Sequence, residues 1–385
     1  MTDRIDLDCN ATAPLLPEAR AALLEWIDGA NASSVHSMGR AARNAAERAR
    51  VSIAQAVGGG NAEVVFTSGA TEAANLALTP NYRMGRSPIR YERMLVADTE
   101  HACVRDGGRF TDDAITHLPV DPSGLLDFDA LEAALTADER LALVAVMLAN
   151  NESGVLQDVR AIADLVHRHG GILVCDVVQA LGRVPIDLEA LGADFLILSS
   201  HKIGGAFGAG ALVARGPMLM PEPLLRGGGQ ERGHRSGTEN VGAIASFAAA
   251  ADAVADCNGM EMERVRALRD RLEREALRVA PTIMIHATGA ERLPNTSLLS
   301  FSELKAETAQ IAFDLDGIAV SNGSACSSGK VGASHVLTAM GIDAPGAVRI
   351  SISRETTDAE IDCALTTLAR LGERDAAKLN LPKAA

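Results

Sequence analysis

The chain has 385 residues, 47% hydrophobic and 22% charged, with 36 Lys+Arg against 50 Asp+Glu for a formal net charge of −14. That length suggests one large domain plus a smaller one, and that charge disfavours a general binder of nucleic acid or anionic membrane. Residues 1–6 have neither the basic end nor the apolar core of a signal peptide, and no apolar run reaches membrane-spanning length, 243–255 coming closest. Six scattered cysteines without a C-x-x-C pair argue against a cysteine-pair zinc site and a disulfide framework, and lead us to expect a reducing cytoplasm.

In chain order, Ile5-Asp6-Leu7-Asp8 reads as a short extended lead, and Pro17 opens a helix through Trp26. A polar loop over 31–36 precedes an Arg/Ala-rich helix over 39–57, closed by Gly58-Gly59-Gly60-Asn61. The strand Glu63-Val64-Val65-Phe66 runs into Thr67-Ser68-Gly69-Ala70-Thr71-Glu72 and a helix. Strand, small polar turn and helix outline a phosphate site, because free N–H groups and the helix dipole face an anion. An ordinary N-cap by Ser68 or Thr71 explains the pattern equally well.

Apolar runs then recur at 94–97, 141–148, 172–175, 195–198 and 211–213, with helical stretches between them, the pattern of a parallel sheet buried on both faces. Ligands gather at the carboxyl ends of such strands. Polar residues just past those ends are therefore the candidates: Thr71, His101, Asn151, Asp176, Gln179, His201 and Lys202. Residues 226–240 form a long loop of glycines and cations, readable as surface or as anion-binding. A charged helix near 257–280 places Val265, Leu268, Leu272, Ala276 and Val279 on one face. With a boundary near 255, we expect a large domain over 13–255 and a smaller α/β domain from 1–12 and 256–385.

Lys202 lies in Ser199-Ser200-His201-Lys202-Ile203-Gly204-Gly205, at a strand exit into glycine-rich backbone. Desolvation there can free a lysine amine for Schiff-base chemistry, above all with pyridoxal phosphate (PLP). Asp176 closes an apolar strand, where a carboxylate is costly unless it meets a cation such as a protonated pyridine nitrogen; capping the next helix is the alternative. Cys326 sits in Ser324-Ala325-Cys326-Ser327-Ser328-Gly329, too small and polar to be core, which suits an available thiolate. Cys175 reads as core, Cys103, Cys257 and Cys363 as structural or surface residues, and Cys9 receives no role.

Taken together, the segments Leu7-Asp8-Cys9-Asn10-Ala11-Thr12, Ser33-Ser34-Val35-His36, Thr67-Ser68-Gly69-Ala70-Thr71-Glu72, Thr99-Glu100-His101, Asn150-Asn151-Glu152, Asp176-Val177-Val178-Gln179, Ser200-His201-Lys202, Arg235-Ser236-Gly237-Thr238 and Ser324-Ala325-Cys326 resemble the cysteine desulfurases. These are class V members of the fold-type I PLP enzymes, and the likeness runs from about residue 6 to 362. The resemblance implies an α/β fold with a mostly parallel seven-stranded sheet and a smaller C-terminal domain. It implies that Lys202 holds PLP, that Asp176 pairs with the ring nitrogen, and that His101 stacks on the ring and moves protons. Asn151 and Gln179 would contact the phenolic oxygen, and Ala70, Thr71, Ser199 and His201 the phosphate. Thr238 would reach the phosphate of a partner subunit, implying a homodimer. Arg349 would clamp the substrate carboxylate, with Asn10, Asn31 and His36 lining the substrate mouth.

The implied reaction converts L-cysteine to L-alanine and leaves the sulfur on Cys326 as a persulfide, for an iron–sulfur scaffold or another sulfur carrier. Gly323, Gly329 and Gly332 would let that loop swing, and 326–335 resembles the longer-loop members. Ala32, and 205–208 after the lysine, depart from the family pattern where proline is common, without removing a chemical group. The rival readings are another class V enzyme, such as a selenocysteine lyase, an epimerase or an aminotransferase, the last of which would not need Cys326, and a non-catalytic scaffold of the same fold.

Overall fold

The computed structural model describes residues 4–255, 259–322 and 334–379. Its centre is a seven-stranded sheet of β1 (Glu63–Thr67), β2 (Arg93–Ala97), β3 (Ile115–Leu118), β4 (Ala142–Met147), β5 (Ile172–Asp176), β6 (Phe195–Ser199) and β7 (Gly210–Ala214), in the order β1-β7-β6-β5-β4-β2-β3. Strands β2 to β6 pair in parallel. β7 runs antiparallel to both neighbours, with Gly210 opposite Thr67 and Ser199. The sheet is thus mostly parallel, and the expectation that the run at 211–213 continues it in parallel is corrected. Only ten residues separate β6 from β7, too few for the crossover that a parallel return needs.

Side chains along these strands alternate between two buried clusters. Val64, Phe66, Leu173, Cys175, Leu196 and Leu198 belong to one; Val65, Ile172, Val174, Phe195 and Ile197 belong to the other. Both faces are covered, which is why the strands read as unbroken apolar runs. Helices Pro17–Trp26, Ser37–Ala56 and Val241–Val254 pack together on the first face.

A four-stranded sheet orders Met284–Ile285, Thr296–Phe301, Gly346–Ser351 and Ser321–Asn322, all antiparallel. It shares a separate core with helices Met260–Val279, Ala306–Leu315 and Asp358–Lys378. Val265, Leu268, Leu272 and Ala276 face that core as their spacing predicts. The amino-terminal lead joins this region: Ile5–Asp6 pairs with Ile318–Ala319, and Asp8 bridges Ser351. Residues 8–11 then pass from the small sheet to the ends of the large one.

Candidate active site

The carboxyl ends of β1, β2, β4, β5 and β6 open into one cavity of about 560 Å³. All seven strand-end candidates line it: Thr71, His101, Asn151, Asp176, Gln179, His201 and Lys202. Ala70, Ser199, Asn10 and Arg349 line it too.

Lys202 ends a 3₁₀ turn directly after β6, and the loop then reverses through Gly204. Gly204 has φ +85°, and a Cβ there would stand 2.7 Å from the Pro14 carbonyl oxygen, so the turn requires glycine. The Lys202 ammonium donates to the carbonyls of Asn10 (2.6 Å) and Ala11 (2.8 Å). Gln179 also donates to Asn10 O (3.0 Å), so the lead is sewn to two sheet ends at one carbonyl. The Asn10 side chain donates to Thr296 Oγ1 and Asn151 O and accepts from Asn295, tying the lead to the small sheet. His201 stacks on Phe207 with centroids 5.4 Å apart, and its Nδ1 lies 3.1 Å from Thr12 Oγ1.

The phosphate-like turn has a defined form. Gly69 precedes the helix Ala70–Ala77, and no side chain caps it, so neither Ser68 nor Thr71 is the N-cap that the alternative reading supposed. Glu72 instead reaches back to accept the Ser68 N–H at 2.8 Å. Arg235 holds the same carboxylate at 2.8 Å. Burial alone would raise the Glu72 pKa; the hydrogen bonds from Arg235 and Ser68 outweigh it and hold the group below its usual range.

Burial dominates the electrostatics of the strand ends. It pushes the Asp176 carboxyl up to about 6, against the Val178 N–H and the Lys202 charge, which pull it down. His101 is lowered by burial, then by Lys202 and His335. His201 falls to about 4 by burial and the Lys202 charge. Both histidines are therefore neutral near pH 7.

Arg349 projects from the small sheet, is 3% exposed, and donates to Asp8 Oδ1 (2.6 Å) and Asn151 O (2.8 Å). Its Nε has no partner among the described residues. Beside it, Glu152 accepts from Ser334 Oγ at 2.6 Å, and burial lifts its carboxyl to about 7.

These groups fit a phosphorylated pyridine. A Cβ built on Gly69 meets no atom within 4 Å, so the cradle at the helix N-terminus is open space bounded by backbone donors. Asp176 is a buried carboxylate whose charge burial penalises and a ring N–H⁺ would stabilise. The Lys202 amine shares the cavity with both.

Of the residues expected around this chain's own cavity, Asn31 and His36 do not line it. Asn31 is exposed and accepts the Ser33 N–H. His36 is exposed and caps the helix Ser37–Ala56 through Gly39 N–H. Thr238 is exposed and borders a separate depression that shares Ser68 and Gly208 with the cavity. Cys326 and the glycines at 323, 329 and 332 lie outside the described residues.

The structure adds residues that the sequence reading passed over. Cys103, taken as structural or surface, lines the cavity with its sulfur 3.1 Å from His101 Nδ1. Its position two residues beyond His101, in the same turn, was the available signal. Asp8 pairs with Arg349; alternation in Asp6-Leu7-Asp8-Cys9 already set the two acids on one face. Lysine usage was a further signal, since the remaining lysines, 305, 330, 378 and 383, all follow residue 300.

The family model described as aminotransferase class-V matches residues 5–363. A cysteine desulfurase of Cereibacter sphaeroides is 41% identical over 376 residues, 95% of each chain. The X-ray structure of a NifS-like protein from Rickettsia africae superposes with a TM-score of 0.85 at 33% identity, covering 96% of this chain and 99% of that one. A structure described as SspA in complex with cysteine has a TM-score of 0.73 at 25% identity, covering 92% of this chain and all of that one.

Proposed function

This chain belongs to the class-V aminotransferase family, and from that premise we infer that it is a PLP-dependent cysteine desulfurase, turning L-cysteine into L-alanine and mobilising the sulfur. The observation that carries this reading is the single cavity in which a lysine, a buried carboxylate, a neutral histidine and an open helix N-terminus meet a buried arginine.

The bound cofactor supplies an electron sink for the bonds at the substrate's Cα. Lys202 would anchor it, and its amine is placed to serve as a base within the cavity. Asp176 holds the ring-nitrogen proton, and its own burial makes that pairing favourable. Ala70, Thr71, Ser199 and His201 cradle the phosphate, while Asn151 and Gln179 orient the ring's oxygen side. His101, neutral near pH 7, exchanges protons with the substrate without first losing one to solvent. Arg349 receives the substrate carboxylate, for which a planar guanidinium with a spare N–H is suited.

Cys326 is the nucleophile of this reading. Its thiolate bonds to the substrate sulfur, the Cβ–S bond breaks, and Cβ gains a proton, so cysteine plus enzyme thiol becomes alanine plus enzyme persulfide with no external oxidant. The persulfide sulfur passes to an iron–sulfur scaffold or another carrier protein. Two copies complete each site, with Thr238 of one reaching the phosphate of the other. The loop bearing Thr238 suits that task because it is pinned twice: Glu231 accepts from buried Arg50 and from Phe66 N–H, and Arg235 pairs with Glu72. The large and small domains of this reading span 13–255, and 1–12 with 256–385.

Alanine and persulfide measured from L-cysteine in wild type and Cys326→Ala test the reading. Wild type forms both, and the variant forms neither at more than a trace. Undiminished alanine from the variant overturns the persulfide step.

A further inference from the structure

We propose that Cys103 is a positioning residue that fixes the tautomer of His101 by donating its thiol and backbone hydrogen bonds to the imidazole Nδ1. The inference rests on the proton-carrying role proposed above for His101.

Two groups of Cys103 converge on that one nitrogen. Its sulfur lies 3.1 Å from His101 Nδ1, and its backbone N–H donates to the same atom at 3.3 Å. The backbone N–H is always a donor, so it favours the tautomer in which Nδ1 presents its lone pair, and the thiol adds the second donor. A proton on Nδ1 would point at that N–H as well as at the sulfur. The neutral ring therefore carries its proton on Nε2, and the thiol donates S–H to Nδ1.

The surroundings agree with that assignment. Burial, then the nearby Asp176 charge, push the Cys103 thiol up to about 12, so it keeps the proton that it donates. The sulfur thus donates to His101 with its proton held in place. The charged form of the ring is opposed by burial, Lys202 and His335, with Asp106 alone favouring it. With Nδ1 engaged by Cys103, proton exchange between His101 and a substrate runs through Nε2, which first gives its proton and then regains one.

The test uses histidine labelled with ¹⁵N, with the His101 signals among the nine histidines identified by their loss in His101→Gln. Ring shifts are recorded on the holoenzyme and on the cofactor-stripped protein. Wild type is expected to show His101 as the Nε2–H tautomer in both. Cys103→Ala removes one of the two donors; the Nε2–H share falls, and kcat for alanine formation drops about fivefold with KM unchanged. Cys103→Ser, which retains a donor, restores the tautomer and most of the rate. An Nδ1–H or doubly protonated His101 in wild type at pH 7.5 overturns the proposal, as does a Cys103→Ala protein with unchanged tautomer share. If wild type makes no alanine from cysteine, the functional reading fails, while the ring shifts still decide the tautomer.

Discussion

At the ends of the seven-stranded sheet, desolvation disfavours the charged forms of buried Asp176 and of half-buried His101. At the wall supplied by the four-stranded sheet, Arg349 is as deeply buried but already paired with Asp8 and the Asn151 carbonyl. The first region is costly to the protein alone and is relieved by a bound partner. The second is stabilised within the chain, and an incoming carboxylate must join or displace an existing pair. Substitutions at the sheet ends should therefore separate stability from binding, whereas substitutions at the arginine should act on substrate affinity.

The largest effect is expected from Lys202→Ala, which lowers alanine formation by about a thousandfold or more and abolishes the visible band of the reconstituted enzyme. A retained band would place the anchor elsewhere. Asp176→Asn follows. The folded pKa of about 6 lies above the ordinary 3.8, so the burial penalty is absent below about pH 4, grows as pH rises, and is complete above about pH 6. Thermal unfolding of the cofactor-free proteins should then show the variant more stable than wild type at pH 8, by up to about 3 kcal/mol, with no gain at pH 4. PLP titration should show weaker binding by the same variant. A loss of stability at pH 8 would mean that the carboxylate is already compensated within the chain.

Arg349→Lys keeps the charge and loses the planar fork. We expect KM for cysteine to rise about 10- to 100-fold with the cofactor band intact, measured by steady-state kinetics alongside absorbance. The smallest effect is Asp8→Asn. The Asp8 carboxylate is a quarter exposed, so its pairing is modest, and removing it should lower KM for cysteine by about fivefold at most. A raised KM would make Asp8 a support for the arginine rather than its competitor.

The sheet end of the site was legible in the sequence because its logic is local. Each of β1, β2, β4, β5 and β6 is an apolar run that stops at a polar residue, and the parallel topology carries those stops to one edge. β3 was missed because Ile115-Thr116-His117-Leu118 is an edge strand, half exposed and preceded by two aspartates. The antiparallel turn of β7 was hidden in an apolar run like the others, although its short connection held the clue. The arginine wall depends on pairing between residues hundreds of positions apart, such as Asp8 with Arg349, and no local pattern announces which acid meets which base. The cavity-facing thiol of Cys103 is hidden for a related reason: cysteine is so often buried as a small apolar residue that its type alone does not mark a site.

The account turns on Lys202 as the cofactor's anchor. Reducing the PLP-loaded enzyme with borohydride and mapping its peptides by mass spectrometry tests that directly. The account predicts one reduced pyridoxyl group per chain, on the peptide containing Lys202. A group on Lys305, Lys330, Lys378 or Lys383, or none on any lysine, would contradict it.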